Sequence, residues 1–260
     1  MTAAQTFEIE LGSGAIAGTW HTPDGMSADA PTGAIILCQG VHVAGEEAGE
    51  FLEAITQSLV NVGLCVARFE HRCSELILED FDAHSALHDL EDALAIHRWI
   101  EQRPDIDSVR IGVLGYSMGA IAATGLSRRL ESINRVCLVA PVTAQYLRER
   151  FGESAGGTPN ENSPRLPASY LPSLDEIDSS REIAFHDRPT LVIHGAADRY
   201  ISPTVSLEYV HALELNGRPV EHVLVARADH TFRLPSARAA CLDLISRFLS
   251  RMEVVAAASA

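Results

Sequence analysis

The chain alternates strand-length apolar runs with stretches of helical periodicity, and this order constrains its fold more than any other feature. The apolar runs fall at 33–38, 64–69, 109–115, 135–140, 190–195 and 220–226. Helical patterns lie between and after them, at 48–62, 84–103, 118–131, 203–216 and 235–252. Several runs are continuously apolar, as strands covered on both faces are. The repeated strand–helix–strand order predicts an α/β fold, with a doubly wound, mostly parallel sheet and helices on both faces.

Two segments at the amino end complete the predicted sheet. TFEIEL and GAIAGTW, at 6–11 and 14–20, have the pattern of an antiparallel hairpin and bring the sheet to eight strands. No linker separates two compositions, so we expect one domain over residues 1–260.

One connection is unusually long. Residues 142–188 lie between two predicted strands, where roughly 2 to 6 connecting residues and one helix are usual. The middle of this segment is rich in glycine, serine, asparagine and proline, which favours irregular structure. An insertion at the carboxyl ends of parallel strands is placed to act as a lid or cap, and a surface loop without a role is the alternative.

Composition disfavours several classes of partner. The 35 acidic residues outnumber the 20 basic ones, and the formal charge of −15 repels phosphate backbones and anionic lipid surfaces. No apolar run approaches the ~20 residues that span a bilayer, and no leader pattern is present. The five cysteines are odd in number and form no CxxC pair, which favours buried thiols. We expect a cytoplasmic protein that binds a small molecule, neither nucleic acid nor membrane, with a homodimer left open.

Ser117 stands between two glycines where an apolar run meets a helical pattern, in Gly115-Tyr-Ser-Met-Gly119. A tight strand-to-helix turn strains its central residue, and small flanking residues tolerate that strain. The turn lifts the hydroxyl clear of the sheet, and the following helix aims its unpaired N–H groups at the same spot. The pattern predicts a nucleophile, with a structural turn serine as the alternative.

A serine hydroxyl needs a base, and the base needs a carboxylate that orients it. His230 follows the last predicted strand directly on a loop at the carboxyl edge, and we predict that it is the base. The other histidines after the turn precede, end or lie inside predicted elements, which favours packed or solvated positions for His186, His194, His211 and His222.

Asp198, on the loop after the run 190–195, is the predicted carboxylate. Its competitors are Glu70, at the end of an earlier strand, and Asp229. Because Asp229 is adjacent to His230, its side chain has difficulty reaching back to Nδ1, and we expect it to cap or orient the loop.

An oxyanion hole requires two backbone donors. We predict the amide of Met118, at the helix start, and the amide of Val41, in the loop after the first parallel strand, with Gly40 as the next candidate. The predicted substrate contacts around this opening are Gly40, His42 and Tyr116, and a plain exposed loop position is the alternative for His42.

The sequence predicts neither a metal nor a cofactor. His84, His88 and Asp92 have the spacing of metal ligands on one face of a predicted helix, but the glutamate of H-E-x-x-H is missing, and a packed or solvated face is the preferred interpretation. GSGAIAG lacks the G-K-[ST] of a phosphate loop, and no dinucleotide fingerprint follows the first parallel strand.

Together, GYSMG, HGAAD and ADHTF give the order serine, aspartate, histidine, and this order resembles the α/β-hydrolase superfamily over essentially the whole chain. The stretch 92–120 is similar to the dienelactone-hydrolase-like and prolyl-oligopeptidase-like branches. The resemblance implies hydrolysis of an ester, thioester or amide through an acyl-serine. Two departures concern the loops, since Gln39-Gly40 stands where many relatives have His-Gly and EHRCSEL (70–76) lacks the glycines of the usual turn.

We therefore predict a serine hydrolase that cleaves an ester or thioester, with an amide as a further option, of a small molecule. An acyltransferase with the same triad and a ligand receptor without turnover are the alternatives.

Overall fold

Eight strands form one sheet in the computed structural model, which describes residues 3–12, 14–39, 46–70, 83–152 and 166–252. The strands are β1 (Ala3–Leu11), β2 (Gly14–Thr22), β3 (Thr32–Cys38), β4 (Cys65–Phe69), β5 (Ile106–Tyr116), β6 (Ile133–Val139), β7 (Thr190–Gly195) and β8 (Val220–Val225). Their order across the sheet is β1-β2-β4-β3-β5-β6-β7-β8. β2 is antiparallel to both of its neighbours, β1 and β4, and every other pair of neighbouring strands in this described sheet is parallel. The predicted mostly parallel sheet is confirmed.

Helices connect the parallel strands and cover both faces of the sheet. They are α1 (Glu46–Asn61), α2 (Ala86–Glu101), α3 (Gly119–Arg129), α4 (Ala144–Phe151), α5 (Tyr170–Ser173), α6 (Ser179–Ile183), α7 (Ser206–Leu215) and α8 (Pro235–Leu249). Several begin at side chains that accept a hydrogen bond from a free N–H of the first turn, as Ser85, Thr143 and Asp178 do. None of the described helices is both long and apolar enough to cross a membrane.

Alternate residues of the central strands build two separate cores. In β3, Ile35 and Leu37 pack with the buried face of α1 and α8, whereas Ile36 and Cys38 pack with α2 and α3 on the other side. Because both faces are covered, the central strands are apolar throughout, and the carboxyl ends of the strands remain as the edge where loops can form a site.

The described part of the long insertion packs onto the helices beside it. The Tyr170 hydroxyl donates to Asp89 on α2 at 3.0 Å, and within the insertion itself the Ala144 N–H donates to the Ser179 hydroxyl at 3.0 Å. Residues 153–165 lie outside the described residues. Action of the segment 142–188 as a lid stays a prediction.

Four of the five cysteines lie within the described residues, and all four are free and buried: Cys38, Cys65, Cys137 and Cys241. Burial raises the pKa of the Cys65 thiol to about 12. A thiol in this state is a poor nucleophile, because the thiolate is the reactive form.

Candidate active site

Ser117 occupies a sharp turn between β5 and α3. Its backbone φ is +54°, in the left-handed region that costs a residue with a side chain roughly 1–3 kcal/mol. The end of β6 and the loop that follows it hold the turn, since the Ser117 N–H donates to the Val139 carbonyl at 3.0 Å and the Val142 N–H donates to the Ser117 carbonyl at 3.2 Å. The strained conformation is therefore fixed by backbone bonds to the neighbouring strand.

The two glycines around Ser117 are required by close packing of backbone on backbone. A Cβ at Gly115 would lie 2.7 Å from the Cα of Ala120. At Gly119, a Cβ would lie 2.5 Å from the carbonyl carbon of Cys38, at the end of β3. Only glycine at both positions lets α3 begin directly above the ends of β3 and β5.

The structure brings Ser117, His230 and Asp198 into one hydrogen-bonded chain. The His230 Nε2 lies 3.2 Å from the Ser117 Oγ, and the His230 Nδ1 lies 2.7 Å from the Asp198 Oδ2. The Asp198 side chain is fully buried, whereas the His230 side chain keeps 16% of its surface exposed. A solvent-accessible imidazole thus links a buried carboxylate to a hydroxyl at the edge of the sheet.

Backbone contacts fix the aspartate loop against the histidine loop. The Ala196 N–H donates to the Val225 carbonyl at 2.9 Å, and the Ala197 N–H donates to the Ala228 carbonyl at 2.8 Å. A Cβ at Gly195 would lie 2.5 Å from the same Ala228 oxygen. The glycine of HGAAD therefore permits the approach that places Asp198 beside His230.

Asp198 is held as a carboxylate. Burial alone would raise its pKa, but hydrogen bonds from His194 and His230 and from the backbone of Ile201 outweigh that effect and hold the pKa well below its usual range. Its Oδ1 accepts N–H groups of Tyr200 at 2.9 Å and Ile201 at 3.0 Å. An ionised Asp198 keeps the proton of neutral His230 on Nδ1, which leaves the Nε2 lone pair facing Ser117.

The competing carboxylates lie outside the hydrogen-bonded chain of Ser117, His230 and Asp198. Asp229 accepts the Arg233 N–H at 2.9 Å and the Arg233 Nε at 2.6 Å. Burial would raise the pKa of Asp229, but these bonds and the guanidinium charge lower it. Asp229 therefore orients the loop, while Glu70 directly follows β4 with an exposed side chain.

Tyr116 requires a correction. The sequence predicts a substrate contact, but the Tyr116 side chain is fully buried and packs edge-on against Phe51 at 5.5 Å. Its hydroxyl donates to the backbone carbonyl of His230 at 3.1 Å. A side chain with no exposed surface cannot contact a substrate, so Tyr116 supports the histidine loop instead.

His194 is a contact of the site that the sequence interpretation missed. It is fully buried, and its Nε2 lies 3.2 Å from the Asp198 Oδ2. The available signal is the four-residue spacing between a histidine that ends a buried strand and the aspartate of the following loop.

Only part of the predicted oxyanion hole lies within the described residues. Met118 is the residue that caps α3, where backbone N–H groups have no acceptor within the helix. The other predicted residues of this opening, Gly40, Val41 and His42, lie outside the described residues.

Tyr200 stands at the opening of the site. Its side chain is 79% exposed, and its ring centroid lies 6.1 Å from that of His230. The Tyr146 hydroxyl, on α4 of the insertion, donates to the Tyr200 carbonyl at 3.2 Å. An exposed aromatic face therefore adjoins the imidazole, on a loop that the insertion contacts.

The predicted helical face of His84, His88 and Asp92 also requires a correction. His84 precedes α2, because Ser85 is the residue that caps the helix. The His84 Nε2 lies 2.8 Å from the Asp89 Oδ1. Within the described ranges, no group of three or more metal-ligating side chains comes together.

Comparisons with known proteins identify the family of the chain. The family model of the prolyl oligopeptidase family matches residues 54–253. The chain belongs to that family. The predicted resemblance to the α/β-hydrolase superfamily is confirmed, and membership of this family supports a serine hydrolase.

Proteins of several kinds are similar to this member of the prolyl oligopeptidase family. An uncharacterized protein of Mycobacterium tuberculosis is 27% identical over 259 residues, which are 98% of this chain and 82% of that protein. The esterase domain of a Rhodothermus marinus protein has a TM-score of 0.71 at 15% identity, covering 96% of this chain and 98% of that chain. Pyrococcus horikoshii acylaminoacyl peptidase has a TM-score of 0.75 at 16% identity, covering 100% of this chain and 43% of that chain. These likenesses to solved structures show the fold.

Proposed function

We propose that the protein hydrolyses an ester or thioester of a small molecule through an acyl-serine formed at Ser117. The observation that carries the proposal is the chain of two hydrogen bonds from the Ser117 Oγ through His230 to the buried Asp198. A serine, a histidine and a carboxylate in this order can remove and return a proton at one reacting oxygen.

In the proposed acylation, the Ser117 Oγ attacks the carbonyl carbon while the His230 Nε2 takes the hydroxyl proton. Asp198 stabilises the imidazolium that forms. The amide of Met118 donates to the oxyanion, and the amide of Val41 is the proposed second donor. Collapse of the tetrahedral intermediate breaks the bond to the leaving group, which receives its proton from His230.

In the proposed deacylation, water attacks the acyl carbon and gives its proton to the His230 Nε2. The bond between the acyl carbon and Ser117 breaks, the carboxylic acid leaves, and the proton returns to the Oγ. Because the exposed ring of Tyr200 lies beside His230, we propose that the leaving group is aromatic or otherwise flat. Short acyl groups are proposed, because the sequence contains no large separate cap domain that could enclose a long acyl chain.

A panel of short-chain aryl esters, thioesters and aminoacyl amides tests the proposal. We expect hydrolysis of the esters, and the variant Ser117→Ala should lower turnover by roughly 10⁵–10⁶. Ser127→Ala is the matched control, because Ser127 lies on the same α3 with its hydroxyl bonded to the Thr124 carbonyl. Near-native turnover in Ser117→Ala would remove this serine from the mechanism, and product mass spectrometry with added alcohol, amine and thiol identifies the acceptor.

A further inference from the structure

We propose that His194 is a positioning residue that shares the Asp198 carboxylate with His230, so that the site contains a second, buried histidine. The inference rests on the proposed function, since it concerns the same reaction. Both histidines contact the same carboxylate oxygen: the Asp198 Oδ2 lies 2.7 Å from the His230 Nδ1 and 3.2 Å from the His194 Nε2.

The neighbours of His194 determine where its proton lies. Its Nε2 faces two acceptors, the Asp198 Oδ2 at 3.2 Å and the Ile201 carbonyl at 3.2 Å. Since neither acceptor can donate, Nε2 must carry a hydrogen. The Nδ1 lies 3.1 Å from the Ser206 hydroxyl, which can serve as donor or acceptor. His194 is thus a donor to the carboxylate.

His194 also gives Asp198 a rigid support that its own loop does not supply. His194 belongs to β7, pairs with Leu224 of β8 and has no exposed surface. The Oδ1 of Asp198 is held by the N–H groups of Tyr200 and Ile201, which belong to the same loop as the aspartate. Without His194, the carboxylate would keep loop amides on one oxygen and only the imidazole of His230 on the other.

The ionisable groups around His194 determine the expected pH effect. Asp198 faces its Nε2, and His222 lies 3.4 Å from the Ser206 hydroxyl that contacts its Nδ1. Loss of the Nε2 donor leaves more of the negative charge of Asp198 available to His230. The protonated form of the base is then favoured, so the acid limb of the kcat/KM profile moves to higher pH.

The test compares His194→Phe with His194→Gln in ester hydrolysis. Phe keeps the ring but removes the donor, and we expect kcat to fall by roughly 10–100-fold with KM little changed, because a misplaced catalytic group can cost that much. Gln extends an amide N–H₂ toward Asp198, so activity should stay within about 5-fold of wild type. His97→Phe is the matched control, since His97 is also buried and contacts a single hydroxyl, that of Ser132.

The acid limb of His194→Phe should lie at higher pH than that of wild type and of His97→Phe. An acid limb at the wild-type position or at lower pH, or equal losses in the Phe and Gln variants, would overturn the proposal. If the Phe variant does not fold, ¹⁵N NMR of histidine-labelled wild type decides: a hydrogen on the Nε2 of His194 is expected, and a bare Nε2 contradicts the account. A wild type without hydrolase activity would refute the proposed function separately, since the NMR result does not depend on turnover.

Discussion

At the scale of single residues, Asp198 receives four hydrogen bonds and has no exposed side-chain surface. Such a group is ionised at neutral pH because its donors outweigh the cost of burial. This arrangement makes the charge of Asp198, and not merely its shape, the feature that fixes the proton of His230.

Asp198→Asn should lower kcat by roughly 10⁴, because a side-chain amide that donates to the His230 Nδ1 selects the wrong tautomer. The measurement is the steady-state hydrolysis of an aryl ester beside Ser117→Ala as the baseline. Asp243→Asn, an exposed aspartate on α8, is the control and should retain full activity. Hydrolysis by Asp198→Asn at the rate of the wild-type protein would show that the reaction does not use the carboxylate charge.

The sequence was sufficient to predict the three hydrogen-bonded residues of the site, but not all of the residues that contact them. Ser117, Asp198 and His230 each follow a strand at its carboxyl end, and parallel strands bring those ends to one edge. Tyr116 and His194 lie near strand ends, where the direction of a side chain depends on the register of the neighbouring strands. In the structure, the Tyr116 side chain points into the core beside Phe51, and the His194 side chain points toward Asp198.

At the scale of elements, the turn between β5 and α3 depends on the position of β3. The absence of a side chain at Gly119 lets the first turn of α3 pass over the Cys38 carbonyl. The geometry of the nucleophile is thus determined by an element that lies about 80 residues earlier in the chain.

Gly119→Ala should destabilise the fold by about 1–3 kcal/mol and reduce ester hydrolysis strongly, because the added methyl would overlap the backbone of β3. Urea unfolding gives the stability change. Gly49→Ala is the matched control: it lies in the interior of α1, where an added Cβ meets nothing within 4 Å, and should stabilise by up to about 1 kcal/mol. Equal effects of the two substitutions would contradict the packing argument.

The elements and the mostly parallel sheet were largely predictable, whereas the order of the strands across the sheet was not. Every apolar run noted in the sequence overlaps a strand, and central strands such as β3 and β7 are mostly apolar because both of their faces are buried. In the sheet, β4 lies between β2 and β3, and the hydrophobic periodicity of the sequence does not predict this position. Within the long insertion, whose middle the sequence indicated as irregular, the structure forms a helix of five residues, Ser179–Ile183, that begins at the Asp178 cap.

At the scale of the whole molecule, stability depends on pH through buried histidine. Burial lowers the pKa of His186 to about 4, and its side chain is 4% exposed in the structure. In the unfolded chain a histidine takes up its proton near pH 6.5. Between these values the unfolded state binds more protons than the folded state, so stability is complete above pH 6.5 and falls as the pH falls toward 4.

The His186 effect should reach roughly 3 kcal/mol near pH 4, since one pKa unit corresponds to about 1.4 kcal/mol. The free energy of unfolding in urea, measured between pH 7 and pH 4.5, should therefore decline less steeply in His186→Gln than in wild type. His211→Gln, at an exposed position of α7, should follow the wild-type slope. Parallel slopes in all three proteins would contradict the assignment to His186.

The most direct test of the central claim, that Ser117 is an activated nucleophile, is labelling with a fluorophosphonate probe followed by peptide mapping. We expect a single adduct on Ser117 that disappears in Ser117→Ala and is strongly reduced in His230→Ala. A protein that stays unlabelled while folded, or an adduct on a different residue, would contradict that claim.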